Sequence, residues 1–215
     1  LPPAIAVYLM RFAGEIAYQI ARRTPIQQIA AKNIRALFPG AEASRLADKL
    51  LRNIGYSIFE VLCTPFFKEA QLARISRLIG VKNIDLALAK RKGAILVMMH
   101  MGNYELIPTV LAARGYHLTS ILKATHDPYF KILDRSRRYH GTQLINVLEE
   151  NMYRQSLQAL SHNRGVCILI DTGALEGRHE TINFLGKNVP AASGWITLAQ
   201  RSGAPVIPCL AKREG

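Results

Sequence analysis

Residues 93–105 read GAILVMMHMGNYE, and this stretch is the most informative about the architecture of the chain. Its apolar run, Ala94–Met99, is short and contains β-branched residues, which is typical of a buried strand. A glycine precedes the run and a Gly-Asn turn follows it. We therefore predict a strand that ends at His100 and is covered by helices on both faces.

Segments typical of helices and strands alternate from this strand to the end of the chain. Predicted helices cover residues 104–114, 127–140, 149–162 and 192–201. Further predicted strands cover residues 117–122, 143–147, 165–170, 181–184 and 204–210. Strands that alternate with helices of this length indicate a largely parallel sheet with right-handed crossovers. The predicted fold class is α/β, with a largely parallel central sheet flanked by helices.

Residues 1–90 have a helical pattern instead. Apolar residues recur every three or four positions over residues 5–20, 26–38 and 46–62, and a shorter helix is predicted over 70–79. We expect one domain over residues 1–215, with a helical section over 1–90 and an α/β core over 91–215. The chain starts at Leu1 and stops directly after an apolar run, so we expect it to be truncated at both ends.

The net charge of +13 favours anionic partners such as nucleic acid, anionic lipid or an acidic protein. The sequence has no zinc-finger, homeodomain or aromatic RNA-binding pattern, which argues against nucleic acid. Its three cysteines form no CxxC motif, so neither a disulfide framework nor a structural zinc site is predicted. Residues 4–21 come nearest to a membrane span, but Arg11 and Glu15 interrupt them. Any transmembrane anchor is expected upstream of Leu1.

The pair His100 and Glu105 is the strongest indication of a catalytic site in the sequence. With Asn103 as the N-cap of the next helix, Glu105 falls in the first helical turn and can fold back toward the imidazole. An imidazole with a carboxylate partner is what a hydroxyl-activating base requires. The alternative is a structural histidine beside a capping glutamate. No HExxH pattern is present, and no metal site is predicted. Because chemistry in parallel sheets sits at the carboxyl ends of strands, Lys123 and Asp171 are candidates too.

Several motifs, in order along the chain, resemble those of the late acyltransferases of lipid A biosynthesis, a branch of the glycerolipid acyltransferase superfamily. His100–Glu105 resembles the superfamily's H-x4-D/E motif. The other matching segments are NIRALFP (33–39), Asp127-Pro128 with Arg135, Arg138 and Gly141, Asp171 of a P-D-Q-like motif, FLG (184–186) and GAPVIP (203–208). Thr172 departs from the family's glutamine, and residues 173–180 are richer in charge, which leaves the acceptor open.

The resemblance implies that His100 is the general base and Glu105 its partner. It places Arg138 and Asp171 near the acceptor or the developing charge, and we group Asn103 with the substrate-binding residues. The alternative role for Asp171 is to cap the loop that follows.

Arg135 and Arg138 are predicted to bind substrate from one helix face, while Arg137 points elsewhere. Guanidinium groups suit bidentate contacts to phosphate, and the lipid acceptors of the family carry phosphate. The alternative is a solvated basic face without a ligand.

The resemblance implies a membrane-associated O-acyltransferase that moves a fatty-acyl chain from acyl carrier protein, or CoA, to a hydroxyl of a lipid A-type glycolipid precursor. No serine lies in a nucleophile elbow, so we expect direct attack on the thioester, with no acyl-enzyme and no cofactor. Expected partners are acyl carrier protein, anionic membrane lipid and the phosphorylated glycolipid, without nucleic acid.

The expected location is the cytoplasmic face of the bacterial inner membrane, where the protein is peripheral or anchored by a segment upstream of Leu1. The amphipathic first helix fits a membrane surface or an ordinary packed bundle. Two alternative functions are an acyltransferase for another lipid (a lysophospholipid, an ornithine lipid or a phosphoinositol mannoside) and a non-catalytic lipid-binding module.

Overall fold

The structure is a computed structural model that describes residues 3–123, 128–171 and 179–214. The chain divides into two compact units, Leu1–Phe66 and Phe67–Gly215. The helical section predicted over residues 1–90 is therefore shared between the units, because its last part belongs to the second. The prediction of one acyltransferase domain over residues 1–215 stays a prediction.

The first unit consists of three helices: α1 (Pro3–Ala21), α2 (Pro25–Leu37) and α3 (Ala43–Cys63). A 3-10 turn over Thr64–Phe66 follows them. The three helices predicted from apolar spacing are confirmed, with ends that differ by at most three residues. Within residues 3–123, 128–171 and 179–214, no helix combines the length and apolarity needed to cross a bilayer.

Two glycines let α1 and α3 approach each other closely. A Cβ added to Gly55 would lie 2.6 Å from the carbonyl oxygen of Gly14, so a side chain at this position would push the helices apart. Beside this contact, Arg52 Nε donates to Glu15 Oε2 at 2.8 Å. Close backbone packing and an ion pair thus join the two longest helices of the unit.

The second unit alternates helices and strands, which confirms the α/β fold class. Its helices are α4 (Glu69–Ile75), α5 (Lys82–Leu88), α6 (Leu106–Ala113), α7 (Pro128–Tyr139), α8 (Met152–Ser161) and α9 (Gly194–Ser202). Its strands are β1 (Ala94–Met98), β2 (Leu118–Leu122), β3 (Gln143–Asn146), β4 (Gly165–Leu169), β5 (His179–Phe184), β6 (Lys187–Ala192) and β7 (Val206–Cys209).

The main sheet has the strand order β3-β2-β4-β1-β7, and all of its pairings are parallel. Strand β1 is buried on both faces. Leu96 and Met98 belong to a core with α5 and α6, whereas Ile95 and Val97 belong to a second core with α8 and α9. Because both faces of β1 are covered, the whole strand is apolar.

Four short elements differ from the prediction. The helix predicted over residues 70–79 ends at Ile75, and α5, which was not predicted, follows Gly80, whose φ is 76°. The strand predicted over 181–184 lies within β5. Among the described residues β5 pairs only with β6, in an antiparallel hairpin apart from the main sheet. Strand β6 was not predicted, since its sequence includes Pro190 and carries little strand signal.

Candidate active site

The parallel register of β1 and β4 brings His100 next to Asp171. Met98 is paired with Leu169, and the backbone N–H of Ile170 donates to Met98 O at 3.0 Å. His100 and Asp171 each come two residues after this last pair, just beyond the ends of the two strands. The site therefore lies at the carboxyl ends of adjacent strands, as predicted for parallel sheets.

Asp171 holds His100 at two points. The backbone N–H of His100 donates to Asp171 Oδ2 at 2.8 Å, and His100 Nδ1 lies 2.8 Å from Asp171 Oδ1. The histidine side chain is 38% exposed and the aspartate side chain 27% exposed. The pair is thus accessible from solvent on one side while its orientation is set from the other.

This pairing determines what the imidazole can do. A carboxylate oxygen only accepts hydrogen bonds, so Nδ1 of His100 carries the hydrogen and Nε2 keeps a lone pair. A histidine held in this way can take a proton at Nε2, and the carboxylate stabilises the imidazolium that results. The geometry therefore suits a general base for a hydroxyl group.

The turn after His100 is tightly constrained. Gly102 has a φ of 60°, and a Cβ there would lie 2.3 Å from the carbonyl oxygen of Ala211, just after β7. Only glycine fits this left-handed turn against the neighbouring backbone. The ring of Tyr104 meets the imidazole edge-on, with centroids 4.6 Å apart. Backbone packing and an aromatic contact thus fix the histidine in addition to Asp171.

Asn103 does not cap the helix in the way predicted. Helix α6 begins at Leu106, whose N–H donates to Asn103 O at 3.1 Å, and Glu105 occupies the N-cap position without a side-chain capping bond. A tight turn with bonds between residues three apart therefore precedes the helix. Asn103 is buried, and its predicted contact with substrate stays a prediction.

The predicted contact between Glu105 and the imidazole is corrected by the structure. Glu105 turns toward α7, where its Oε1 accepts from Arg137 Nη2 at 2.5 Å and its Oε2 from Arg137 Nε at 2.9 Å. Two parallel bonds of this kind match the planar guanidinium to the carboxylate. The position next to His100 is taken by Asp171, so the carboxylate nearest in sequence is not the one nearest in space.

Arg137 is the most enclosed charged group of the site. Its side chain is 11% exposed and that of Glu105 19%, and Arg137 Nη1 also donates to Asp134 Oδ1 at 2.7 Å. Burial alone would lower the pKa of Arg137, but the hydrogen bonds and charges of Glu105 and Asp134 outweigh it and raise the pKa. The three groups form a charged cluster that ties α7 to the turn following His100.

The prediction that the face of Arg135 and Arg138 is turned toward the site is also corrected. Both residues are exposed, whereas Arg137, expected to point elsewhere, reaches the site. The helical phase was right, since Arg137 and the pair do lie on different faces, but the helix is turned the other way. Leu133 and Ser136 are buried on the inner face, which explains the orientation. Substrate binding by Arg135 and Arg138 stays a prediction.

Two other predicted positions, Lys123 and Asp127, lie at or beyond the end of a described segment of the chain. Lys123 is exposed directly after β2, and Asp127 lies outside the described residues. Of the charge-rich loop after Asp171, residues 173–178 lie outside them as well. Among the residues that are described, no three His, Cys, Asp or Glu side chains are grouped as metal ligands.

Sequence reasoning overlooked Arg137 and Tyr104. A usable signal for Arg137 was its spacing of three from Asp134, which is typical of an ion pair on a helix. The apolar Leu133 on the same side of α7 would have identified this face as the inner one. For Tyr104, only its position four residues after His100 pointed to a contact.

Comparison with known proteins supplies the family context of this site. The sequence model of the family described as bacterial lipid A biosynthesis acyltransferase matches residues 1–215. Phosphatidylinositol mannoside acyltransferase of Mycobacterium tuberculosis, in strains CDC 1551 / Oshkosh and ATCC 25618 / H37Rv, is 26% identical over 183 residues. The match covers 82% of this chain and 57% of each relative, so the chain spans a little over half the length of the curated relatives it matches.

Proposed function

The chain belongs to the family of bacterial lipid A biosynthesis acyltransferases, and on this premise we propose that it transfers a fatty-acyl group from a thioester to a lipid hydroxyl. The observation that carries the proposal is the His100–Asp171 pair at the carboxyl end of β1. A base with a free Nε2 is what activation of a hydroxyl requires. Asp171 takes the orienting role that sequence reasoning assigned to Glu105.

In the proposed reaction, His100 Nε2 takes the proton of the acceptor hydroxyl while the hydroxyl oxygen bonds to the thioester carbonyl carbon. The C–S bond then breaks, and the leaving thiolate takes the proton back from the imidazolium. The products are an ester and a free thiol, so atoms and charge balance without a cofactor. Asp171 stabilises the transient imidazolium, and no covalent acyl-enzyme forms.

Glu105 has a positioning role in this proposal. Its two bonds to Arg137 connect the turn after His100 to α7, and Arg137 is in turn bonded to Asp134. A buried ion pair of this geometry resists displacement, because separating it would leave a charge in a poorly solvated place. The cluster would hold the catalytic turn still rather than contact the reacting atoms.

The proposed donor is the thioester of acyl carrier protein, with CoA as the alternative. The net charge of +13 supports an acidic donor, because opposite charge speeds the encounter of two proteins. The proposed acceptor is a phosphorylated glycolipid of the lipid A type, which follows the family description. The name of the mycobacterial relatives favours a second candidate, a phosphatidylinositol mannoside.

Labelled acyl transfer tests the proposal. Purified protein would receive radiolabelled palmitoyl acyl carrier protein together with either a lipid A-type precursor or a phosphatidylinositol mannoside, and product masses would identify the acceptor. Transfer that is lost in a folded His100→Ala variant would support the proposal. Tight lipid binding without any transfer to either acceptor, also when palmitoyl-CoA replaces the carrier thioester, would instead identify a non-catalytic lipid-binding module.

We also propose that the first unit rests on the cytoplasmic face of the inner membrane. One face of α1 exposes a row of large apolar side chains: Ile5, Leu9, Phe12, Ile16 and Ile20. Two exposed cations, Arg22 and Arg23, follow directly on the carboxyl end of α1, and Arg11 is exposed within it. An apolar stripe with flanking cations is typical of a helix that lies in the interface of an anionic bilayer.

Vesicle flotation tests this location. Binding to vesicles that contain phosphatidylglycerol should exceed binding to phosphatidylcholine vesicles and weaken as salt screens exposed charge. Phe12→Ser should reduce binding further, since each CH₂ left in water costs about 0.8 kcal/mol. Equal binding to the two vesicle types at low salt would contradict the electrostatic part of the proposal.

A further inference from the structure

The outer face of α7 carries a basic stripe with no role in the site described above. Lys131, Arg135 and Arg138, here called the α7 stripe, are exposed and lie within about 60° of one another around the helix, since successive residues turn by about 100°. Ile132 and Tyr139, which are 56% and 61% exposed, flank the stripe. Within the described part of the chain, none of these three cations forms an ion pair.

The composition of this face resembles a protein interface more than an ordinary solvated helix. Exposed arginine, tyrosine and aliphatic side chains together are enriched where proteins dock, while a purely solvated face is polar throughout. The opposite face of the helix is occupied by Leu133, Ser136 and Arg137. The outer face is therefore not needed to hold α7 in place.

The shape of the α7 stripe indicates the kind of ligand. Its three cations are spread over eight residues, a rise of about 10 Å, and side chains on one helix face project side by side. A single phosphate is bound where donors converge on a point, whereas a row of cations matches a row of carboxylates. An acidic helix about two turns long would complement the row.

The α7 stripe lies on the same helix as a residue that is bonded to the turn after His100. Arg137, on the inner face of the same helix, is bonded to Glu105, five residues after His100. A partner docked on the outer face of α7 would therefore be separated from the turn after His100 by the width of one helix, about 10 Å. This arrangement suits the donor, whose thioester must reach His100.

From the charge, composition and position of this face we infer that the α7 stripe docks the acidic carrier protein that delivers the acyl thioester. The inference rests on the proposed function, because it names the partner of that reaction. It also replaces the prediction that Arg135 and Arg138 bind the acceptor's phosphate. Ile132 and Tyr139 would supply the apolar part of the contact.

A charge-reversal pair of variants tests the inference on the full chain. The test variant is Lys131→Glu/Arg135→Glu/Arg138→Glu, and the control is Lys90→Glu/Arg91→Glu/Lys92→Glu, in the exposed turn before the amino end of β1. Each replaces three cations by three anions and lowers the net charge by six, from +13 to +7. Long-range attraction thus changes equally in both, and only the place of the charges differs.

The first readout is the Kd for fluorescent palmitoyl acyl carrier protein. The second is the ratio of kcat/KM for that donor to kcat/KM for palmitoyl-pantetheine, which has no protein part. In the test variant the Kd should rise at least about tenfold and the ratio should fall by a similar factor, while the control changes either by less than about threefold. Should the test variant fold poorly, the corresponding triple glutamine variant removes the three positive charges without adding negative ones and should show the same kind of loss.

Several results would overturn the inference. These are equal losses in test and control variants, an unchanged carrier Kd in the test variant, or no carrier binding by the unmodified protein. Loss of binding to phosphatidylglycerol vesicles with carrier binding intact would assign the α7 stripe to a lipid surface instead. A further outcome separates the two proposals. If the protein binds the carrier through the α7 stripe but transfers no acyl group, the proposed function is wrong and the docking surface is supported.

Discussion

Replacing Asp171 by asparagine should remove most activity while leaving the fold nearly intact. Both carboxylate oxygens are in use, since Oδ1 lies 2.8 Å from His100 Nδ1 and Oδ2 accepts from the His100 backbone N–H at 2.8 Å. Asparagine has one such oxygen. If that oxygen keeps the backbone bond, the amide NH₂ faces Nδ1 and forces it to accept, which moves the ring hydrogen to Nε2 and abolishes the base.

The expected magnitude follows from this change of tautomer. Loss of a correctly oriented base costs about 10²–10⁴-fold in kcat, or about 3–5 kcal/mol in the activation barrier. The cost in stability should be much smaller, about 1 kcal/mol, because the two side chains are 38% and 27% exposed and water can replace part of the bond. For a chain of this length, the melting temperature should fall by roughly 2–4 °C.

Glu105→Gln is the matched control, because it also replaces a carboxylate by an amide at the site. It should lower stability by about 1–3 kcal/mol, since Arg137, 11% exposed, loses the charge of its main partner. Its kcat should fall less than that of Asp171→Asn. Turnover and melting temperature would be measured on the same preparations. A folded Asp171→Asn variant with turnover within about threefold of normal, next to an inactive Glu105→Gln, would refute the assignment of Asp171 as the partner of the imidazole.

Three further expectations concern stability. Arg137→Leu should lower the free energy of unfolding by about 2–3 kcal/mol in urea titrations, because it leaves the Glu105 carboxylate buried without its cation. Arg138→Leu, on the exposed face, should change the same free energy by less than about 0.5 kcal/mol. Roughly equal effects of the two variants would contradict the orientation of α7. Gly102→Ala should lower the free energy of unfolding by about 1–3 kcal/mol in the same titration, and should also lower kcat. The reason is that φ is 60° and the neighbouring backbone leaves no room for a Cβ. An unchanged urea midpoint would contradict the tight turn. Burial, and next a hydrogen bond to the Asp85 carboxylate of α5, raise the pKa of Tyr116 to about 12, above its ordinary value of 10.0. The stability that depends on the protonated phenol is therefore complete below pH 10 and is lost as the pH rises toward 12. Tyr116→Phe should make the melting temperature fall less steeply between pH 10 and 12, and a slope identical to that of the unmodified protein would contradict this expectation.

The main elements of the fold could be predicted because their signals are local. The apolar run of β1, the three-and-four spacing of α1 to α3 and the alternation of strands and helices each depend on residues close in sequence. The short elements were harder: α5 has seven residues and little periodicity, and β6 contains a proline. His100 was also found locally, since a polar residue that ends a buried strand and precedes a Gly-Asn turn has few structural explanations.

The partner of His100 depended on how the sheet is assembled. Glu105 is five residues away and Asp171 is 71 residues away, yet β4 lies next to β1 and its register brings Asp171 to the imidazole. Strand order reflects how whole layers pack, and no local pattern encodes it. The orientation of α7 is a similar case. Sequence spacing places Arg137 and Arg138 on different faces, but burial of Leu133 and the pairing of Arg137 with Glu105 determine which face turns inward, because a buried cation is stable only beside a carboxylate.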